Sequence, residues 1–209
     1  LLLTFGTAWC YYLANELEAP VVANCHKMPA ALFRRQLLSV EDIVTSYQQL
    51  LQELWNLNPR LQILFTVSPV RHRKDGLVAN QRSKAILIES VHRLLEWRPE
   101  QLNYFPAFEI MIDELRDYRF YTADMLHPSD WAVDYVFKRF TSWACSPDCL
   151  TALQKIAVLQ SLLSHRPLLP ESQSSERSYQ KATELKLELQ QRYGIEPAFW
   201  DTTAQSGWQ

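Results

Sequence analysis

Apolar residues along the first two thirds of the chain alternate between two kinds of pattern. Unbroken apolar runs are typical of strands that are covered on both faces of a parallel sheet. Helical stripes separate the runs and predict helices after Ser39, over Asn80–Trp97 and over Glu109–Leu115. The apolar runs lie at residues 1–5, 61–67 and 102–105. The order strand, helix, strand, helix, strand predicts a three-layer α/β fold with a parallel sheet.

The first helix has the clearest ends. Ser39 and Asp42 have the spacing of a capping box, and Asn58-Pro59 ends the helix. Before this helix, Cys10–Ala23 is first aromatic and then turn-like, which predicts a hairpin or an irregular excursion. The apolar stripe of the first helix is Val40, Ile43, Val44, Tyr47, Leu50, Leu51 and Leu54.

The last third of the chain has a different, wholly helical pattern. A helix is predicted to begin near Ser129, and amphipathic helices follow at Leu150–Leu163 and Ser178–Tyr193. We interpret these last two helices as an extension that packs on the domain or on a second copy of the chain. The helix after Ser129 carries its stripe at Trp131, Tyr135, Val136 and Phe140. The predicted α/β domain, helical extension and disordered tail cover residues 1–143, 144–200 and 201–209.

Composition narrows the function classes. The chain has 209 residues, of which 47% are hydrophobic, and a formal net charge of -2. This balance is typical of a soluble globular protein and predicts no nucleic-acid partner; no apolar run has the length of a membrane span. The four cysteines lack metal-site spacing, so we interpret them as reduced thiols, which favours a cytoplasmic protein. We expect no cofactor.

The start of the chain has an unusual pattern. Leu1-Leu2-Leu3-Thr4-Phe5-Gly6 begins without Met and has the pattern of a buried strand that runs directly into a turn. Because domains rarely begin at a core position of a strand, we expect earlier strands of the domain to precede residue 1. The lack of a signal-peptide pattern therefore leaves export open.

The chemistry of the chain is densest between Arg116 and Ser129. Asp124 and His127 are separated by two residues, so on a tight turn the carboxylate can contact one imidazole nitrogen. The other nitrogen would then face a nucleophile, while the carboxylate fixes the tautomer. The alternative is a surface or helix-capping histidine. Pro128 and Ser129 suit the start of a helix that would hold the turn.

Further polar residues follow the predicted strands. The carboxyl ends of parallel strands are where open α/β sheets place their ligands. Asn24 and His26 form another short polar group, whose alternative interpretation is a loop with local hydrogen bonds. The residues that follow the first two strands are Gly6, Thr7, Ser68, Arg71 and His72.

Several segments spread over most of the chain carry a family resemblance. They are Phe5-Gly-Thr-Ala-Trp9, Val22-Ala-Asn-Cys-His-Lys27, Thr66-Val-Ser-Pro-Val-Arg-His72, Ser83-Lys84-Ala85, Tyr104-Phe-Pro106, Glu114-Leu-Arg-Asp-Tyr-Arg-Phe-Tyr121, Asp124-Met-Leu-His-Pro-Ser129 and His165-Arg-Pro167. These segments resemble the GSCFA family, which looks like a branch of the SGNH (GDSL-like) hydrolase superfamily. The resemblance implies a flavodoxin-like sheet and a Ser-His-Asp site in which Asp124 and His127 match the superfamily's last block.

The sequence departs from the family pattern in two places. The resemblance implies a nucleophilic serine in a Gly-Ser-Cys-Phe-Ala motif near the family's N-terminus, and this sequence does not contain that motif. After the third strand the superfamily usually has Gly-x-Asn-Asp, whereas this chain has Gly6-Thr7-Ala8-Trp9 at the corresponding place. Asn24 or His26 is a candidate for the missing oxyanion donor.

The resulting hypothesis is acyl-ester hydrolysis by a serine that precedes residue 1. His127 moves the proton, Asp124 orients His127, and the Gly6 N–H with Asn24 or His26 stabilises the oxyanion. The chain as given is expected to be inactive and, through an unpaired strand edge, to aggregate. Candidates for binding an anionic or sugar part of the substrate are Arg71, His72, Arg116 and Arg119. An alternative role for the arginines is structural, as ion pairs with Asp113, Glu114 and Asp117.

Other functions remain open on the sequence. One is acyl transfer to a carbohydrate, and another is a non-catalytic binding or scaffold protein on the same fold. Ser68 is a rival nucleophile, but Pro69 removes the next backbone N–H that an oxyanion hole would use. A metal site built from Asp124, His127, His26 and His72 is a further alternative to the serine hydrolase, but no closely spaced ligand motif in the sequence supports it.

Overall fold

The computed structural model describes residues 1–14, 21–22, 28–164 and 173–196. Asn24, His26, His165-Arg-Pro167 and the predicted tail at 201–209 lie outside the described residues. Two compact units make up the chain, Leu1–Lys138 and Arg139–Gln209.

The described elements comprise six strands and six α-helices. In chain order they are β1 Leu2–Phe5, β2 Trp9–Leu13, β3 Val21–Val22, β4 Phe33–Leu37, α1 Val40–Leu57, β5 Ile63–Val67, α2 Gly76–Trp97, β6 Leu102–Phe105, α3 Ala107–Glu109, α4 Asp130–Ala144, α5 Pro147–Ser164 and α6 Gln173–Tyr193. A π-helical turn, Ile110–Glu114, continues from α3. Short 3₁₀ turns lie at Ala30–Leu32, Arg73–Asp75 and Tyr118–Phe120.

The main sheet is parallel, in the order β1-β5-β6, which confirms the predicted α/β class. Phe5 pairs with Val67, and Thr66 pairs with Phe105, so the carboxyl ends of the three strands lie side by side. The Ser68 N–H donates to the Phe5 carbonyl oxygen at 2.8 Å and continues the pairing beyond the strands. The loops after β1 and β5 therefore begin as direct neighbours.

The first strand is less covered than its apolar run predicts. Ile63, Phe65 and Val67 of the central strand β5 are buried, whereas Leu2 of β1 is 51% exposed. The expectation that β1 is buried on both faces is wrong, because the face with Leu2 and Thr4 is exposed, while Leu3 and Phe5 on the other face pack in the core.

The predicted first helix is confirmed at both ends. The Ser39 hydroxyl accepts from the Asp42 N–H at 3.1 Å, and the Asp42 carboxylate accepts from the Ser39 N–H at 2.8 Å, which completes the capping box. Leu51 is fully buried, but Leu50 of the predicted stripe is 44% exposed. The helices α1 and α2 pack against each other, as expected for consecutive right-handed crossovers between neighbouring parallel strands.

A small antiparallel sheet lies between β1 and α1 in the chain. It has the order β3-β2-β4, and Trp9 pairs with Leu37. Part of this sheet corresponds to the predicted hairpin. Strand β4 was missed because its centre, Arg34-Arg35-Gln36, is polar and exposed and so lacks an apolar alternation.

The helical extension contains the predicted helices with longer bounds. Leu159 of α5 and Leu189 of α6 are fully buried in one apolar cluster. In α4 the expectation that Trp131 lies on the buried apolar stripe is wrong, because Trp131 is 57% exposed while the neighbouring Ala132 is buried. None of the helices in the described segments is long and apolar enough to cross a membrane.

Candidate functional site

Asp124 and His127 contact each other as the sequence predicts. Asp124 Oδ2 lies 2.6 Å from His127 Nδ1. The other carboxylate oxygen, Oδ1, accepts from the Leu126 N–H at 2.8 Å, from the His127 N–H at 3.1 Å and from the Thr122 hydroxyl at 2.6 Å. One oxygen therefore holds the loop and the other holds the imidazole. Nε2 of His127 has no hydrogen-bond partner among the described residues.

The loop that carries this pair is closed by backbone hydrogen bonds. The Thr122 N–H donates to the His127 carbonyl oxygen at 2.9 Å, and the Met125 N–H donates to the Thr122 carbonyl oxygen at 2.9 Å. Met125 has a φ of 62°, in the left-handed region that residues other than glycine rarely adopt. The Ser129 hydroxyl then accepts from the Ala132 N–H at 3.4 Å, just before α4 begins at Asp130, close to the predicted start of that helix.

The hydrogen bonds around Asp124 favour its charged form. The Thr122 hydroxyl, His127 and two backbone N–H groups lower the pKa of Asp124 well below its usual range. The carboxylate is therefore charged at neutral pH, the state that would stabilise an imidazolium at His127.

A buried lysine joins the ends of β1 and β5. Lys84 Nζ donates to the Gly6 carbonyl oxygen at 2.7 Å and to the Ser68 carbonyl oxygen at 2.6 Å. Lys84 is only 1% exposed, and burial lowers its pKa to about 8. Next to it, the Ser83 hydroxyl accepts from the Ala8 N–H at 2.8 Å and lies 3.0 Å from the Thr7 hydroxyl. Helix α2 therefore fixes the loop after β1 from inside the domain.

Sequence reasoning missed Lys84 as a site residue. The signal was present in the spacing, since Lys84 falls on the same helical face as Leu87, Val91 and Leu94, all of which are buried. A lysine on an apolar stripe is unusual, because a buried ammonium requires hydrogen-bond partners.

His72 lies beside this lysine and the end of β1. Burial is the main cause that lowers the pKa of His72, and the nearby charge of Lys84 lowers it further, while the charge of Asp75 and the neighbouring Gly6 backbone act in the opposite direction. The His72 N–H donates to the Asn80 side-chain oxygen at 2.9 Å. Gly6, Ser68, His72 and Lys84 thus form one cluster, which we name the strand-end cluster.

The loop after β5 also contacts the loop of the Asp124–His127 pair. The Arg71 N–H donates to the Leu126 carbonyl oxygen at 3.2 Å. The Arg71 guanidinium lies 4.2 Å from the centre of the Tyr121 ring and 6.0 Å from that of Tyr118. Arg71 is therefore placed next to the residue that precedes His127.

The other predicted site residues have local partners. Arg116 pairs with Asp113 at 3.0 Å, the structural pairing that the sequence left open, and Arg119 lies 3.9 Å from Asp117. The Ser68 hydroxyl accepts from the Val70 N–H at 3.2 Å. No group of three or more His, Cys, Asp or Glu residues that could hold a metal ion occurs in the described part of the chain.

Comparison with known proteins gives one match. The family model described as the GSCFA family matches residues 1–140. The chain belongs to the GSCFA family. The strand-end cluster and the Asp124–His127 pair both lie within the part that matches this GSCFA model, whereas α5 and α6 lie beyond it. No curated protein and no solved structure matches the chain.

Proposed function

We propose that this GSCFA protein is a serine ester hydrolase with a flavodoxin-like, SGNH-type fold. The observation that carries the proposal is the 2.6 Å contact between Asp124 Oδ2 and His127 Nδ1, which leaves Nε2 of the imidazole without a described partner. This is the arrangement that a histidine base needs in order to accept a proton from a nucleophile. The fixed, charged carboxylate supports the same role.

The proposed reaction has two halves. A serine hydroxyl, which the resemblance implies in a Gly-Ser-Cys-Phe-Ala segment, attacks the ester carbonyl carbon while His127 accepts its proton. Collapse of the tetrahedral intermediate breaks the bond to the alcohol, and His127 returns the proton to the leaving alkoxide. Water then attacks the acyl-serine in the same way and releases the carboxylic acid.

The strand-end cluster is the proposed position of the oxyanion site. Gly6 directly follows β1, and its N–H belongs to the peptide unit whose carbonyl oxygen, that of Phe5, accepts from the Ser68 N–H at 2.8 Å, so this donor has a fixed orientation. A preorganised donor of this kind stabilises negative charge more effectively than one that must reorient. The positive charge of Lys84 favours negative charge at the same end of the sheet.

Fluorophosphonate labelling tests the proposal. The gene product, expressed from its own start codon, is treated with a fluorophosphonate, and its intact mass is measured beside the variants His127→Ala and His92→Ala. We expect a single serine adduct in the wild type and in His92→Ala, and a much slower adduct in His127→Ala. His92 is the matched control, since its ring packs on Tyr104 in the α2 region. A folded wild-type protein without an adduct would contradict the hydrolase.

A further inference from the structure

Three of the predicted site residues are arginines that precede the Asp124–His127 loop in the chain, and the structure separates one of them from the others. Arg116 and Arg119 lie near carboxylates, Asp113 and Asp117 respectively. Arg71 makes no ion pair with any carboxylate in the residues that the structure describes. Its guanidinium contacts tyrosine rings, which leave the N–H groups at its edge available for hydrogen bonds.

The backbone fixes the position of Arg71 relative to the candidate base. Its N–H group donates to the Leu126 carbonyl oxygen, and Leu126 directly precedes His127. Tyr121, the ring on which the guanidinium packs, is buried and pairs with Pro128 across the base of the same loop. Arg71 is thus attached to both sides of the loop that carries the Asp124–His127 pair.

We propose that Arg71 binds an anionic group of the substrate, so that the preferred ester carries a carboxylate or phosphate group near the scissile bond. A guanidinium binds such groups through two parallel hydrogen bonds, and stacking on Tyr121 reduces the freedom that binding would otherwise remove. This inference rests on the proposed hydrolase for its substrate, but the anion site itself can be measured without turnover.

The test is an NMR titration of the gene product with sodium acetate and, separately, with sodium phosphate at constant ionic strength. The backbone amide signals of Arg71, Leu126 and His127 are followed in the wild type, Arg71→Gln, Arg71→Lys and Arg98→Gln. Arg98 is a matched control because it also packs on aromatic rings, those of Trp55 and Trp97, and its change removes the same charge.

We expect a saturable shift of these signals in the wild type and in Arg98→Gln. The affinity should fall at least about tenfold in Arg71→Gln, and Arg71→Lys should bind more weakly than the wild type because an ammonium lacks the paired donors. Tighter binding of acetate would identify the anionic group of the preferred substrate as a carboxylate, and tighter binding of phosphate would identify it as a phosphate group. A shift that is linear in anion concentration, or one that persists in Arg71→Gln, overturns the proposal.

The result separates the two proposals. Saturable anion binding without a fluorophosphonate adduct would retain the Arg71 site and contradict the hydrolase. An adduct without saturable anion binding would retain the hydrolase and contradict the anionic substrate.

Discussion

Lys84 Nζ lies 2.7 Å from the carbonyl oxygen of Gly6, which links the interior of α2 to the end of β1. The same ammonium donates to the Ser68 carbonyl oxygen at the end of β5. Two neighbouring parallel strands are thus joined, just beyond their last pairs, by a side chain from the helix that follows them. A buried charge in this position is stable only while both acceptors are present.

Replacing Lys84 by methionine is expected to destabilise the fold. Methionine keeps much of the side-chain length but leaves two carbonyl oxygens without their charged donor, so the free energy of unfolding should fall by about 2 kcal/mol. Urea unfolding followed by circular dichroism measures this change. Lys74→Met is the control, because Lys74 is an exposed lysine in the loop after β5. Equal stability of the two variants would contradict the structural role of Lys84.

The same lysine predicts a pH dependence of stability. Its pKa is lowered to about 8 in the fold by burial, against about 10.4 in an unfolded chain. Between these values the unfolded chain holds one more proton at this site, so the contribution of Lys84 to the free energy of unfolding rises with pH. The difference between wild type and Lys84→Met, measured from pH 7 to pH 10.5, should therefore increase. A difference in the free energy of unfolding that stays constant over this pH range would show that the fold does not lower the pKa of Lys84.

His72 provides an independent measure of the Lys84 charge. Burial and this charge both lower the pKa of His72, so removal of the charge in Lys84→Met should move the pKa upward toward the ordinary value. The C2–H signal of His72, followed by NMR against pH, measures the change. Lys84→Arg keeps the charge and should leave the pKa of His72 lower than in Lys84→Met. An identical pKa in both variants would show that the charge does not act on His72.

The sequence predicted the main sheet well, because its central strand is encoded by a continuous apolar run. Strand β6 has the predicted bounds, and the Ser39–Asp42 capping box fixes the start of α1. Strand β4 could not be recognised, since its polar residues are held by pairing with β2 and not by burial. The exposure of Leu2 could not be predicted either, because an apolar run does not show which face of its strand other parts of the fold cover.

Local spacing also limited the prediction of the site. Asp124 and His127 are three positions apart on one turn, so their contact follows from short-range geometry. The contacts of Lys84 with Gly6 and Ser68 depend on how α2 crosses the sheet, and no spacing in the sequence encodes that crossing. The choice between Arg71 and Arg116 likewise required the positions of their neighbours.

Thr122→Val tests the hydrogen bonds that set the charge of Asp124. The Thr122 hydroxyl, 2.6 Å from Asp124 Oδ1, is the largest cause of the lowered pKa, so its removal should raise the pKa of Asp124 toward the value of about 3.9 in an unfolded chain. A carboxyl group whose pKa is lowered in the fold stabilises the protein at pH values above the unfolded pKa, and this stabilisation is lost as the pH falls toward the folded pKa. The free energy of unfolding of Thr122→Val should therefore fall less steeply in acid than that of the wild type.

The Cγ signal of Asp124, titrated by ¹³C NMR, measures this pKa directly. Thr45→Val is a suitable control, since it makes the same change on the first helix. An unchanged pKa of Asp124 in Thr122→Val would assign the shift to His127 and the backbone N–H groups alone.

Met125 tests whether backbone strain is built into the loop of the candidate base. Its φ of 62° suits glycine, so Met125→Gly should preserve the loop with little loss of stability, whereas β-branched Met125→Ile should destabilise it by about 1–2 kcal/mol. Urea unfolding gives both values, and the NMR signal of the His127 ring reports whether its contact with Asp124 persists. The same two changes at Met28, an exposed methionine without a positive φ, provide the control. If Met125→Gly destabilised the protein more than Met125→Ile, the left-handed conformation of residue 125 would be contradicted.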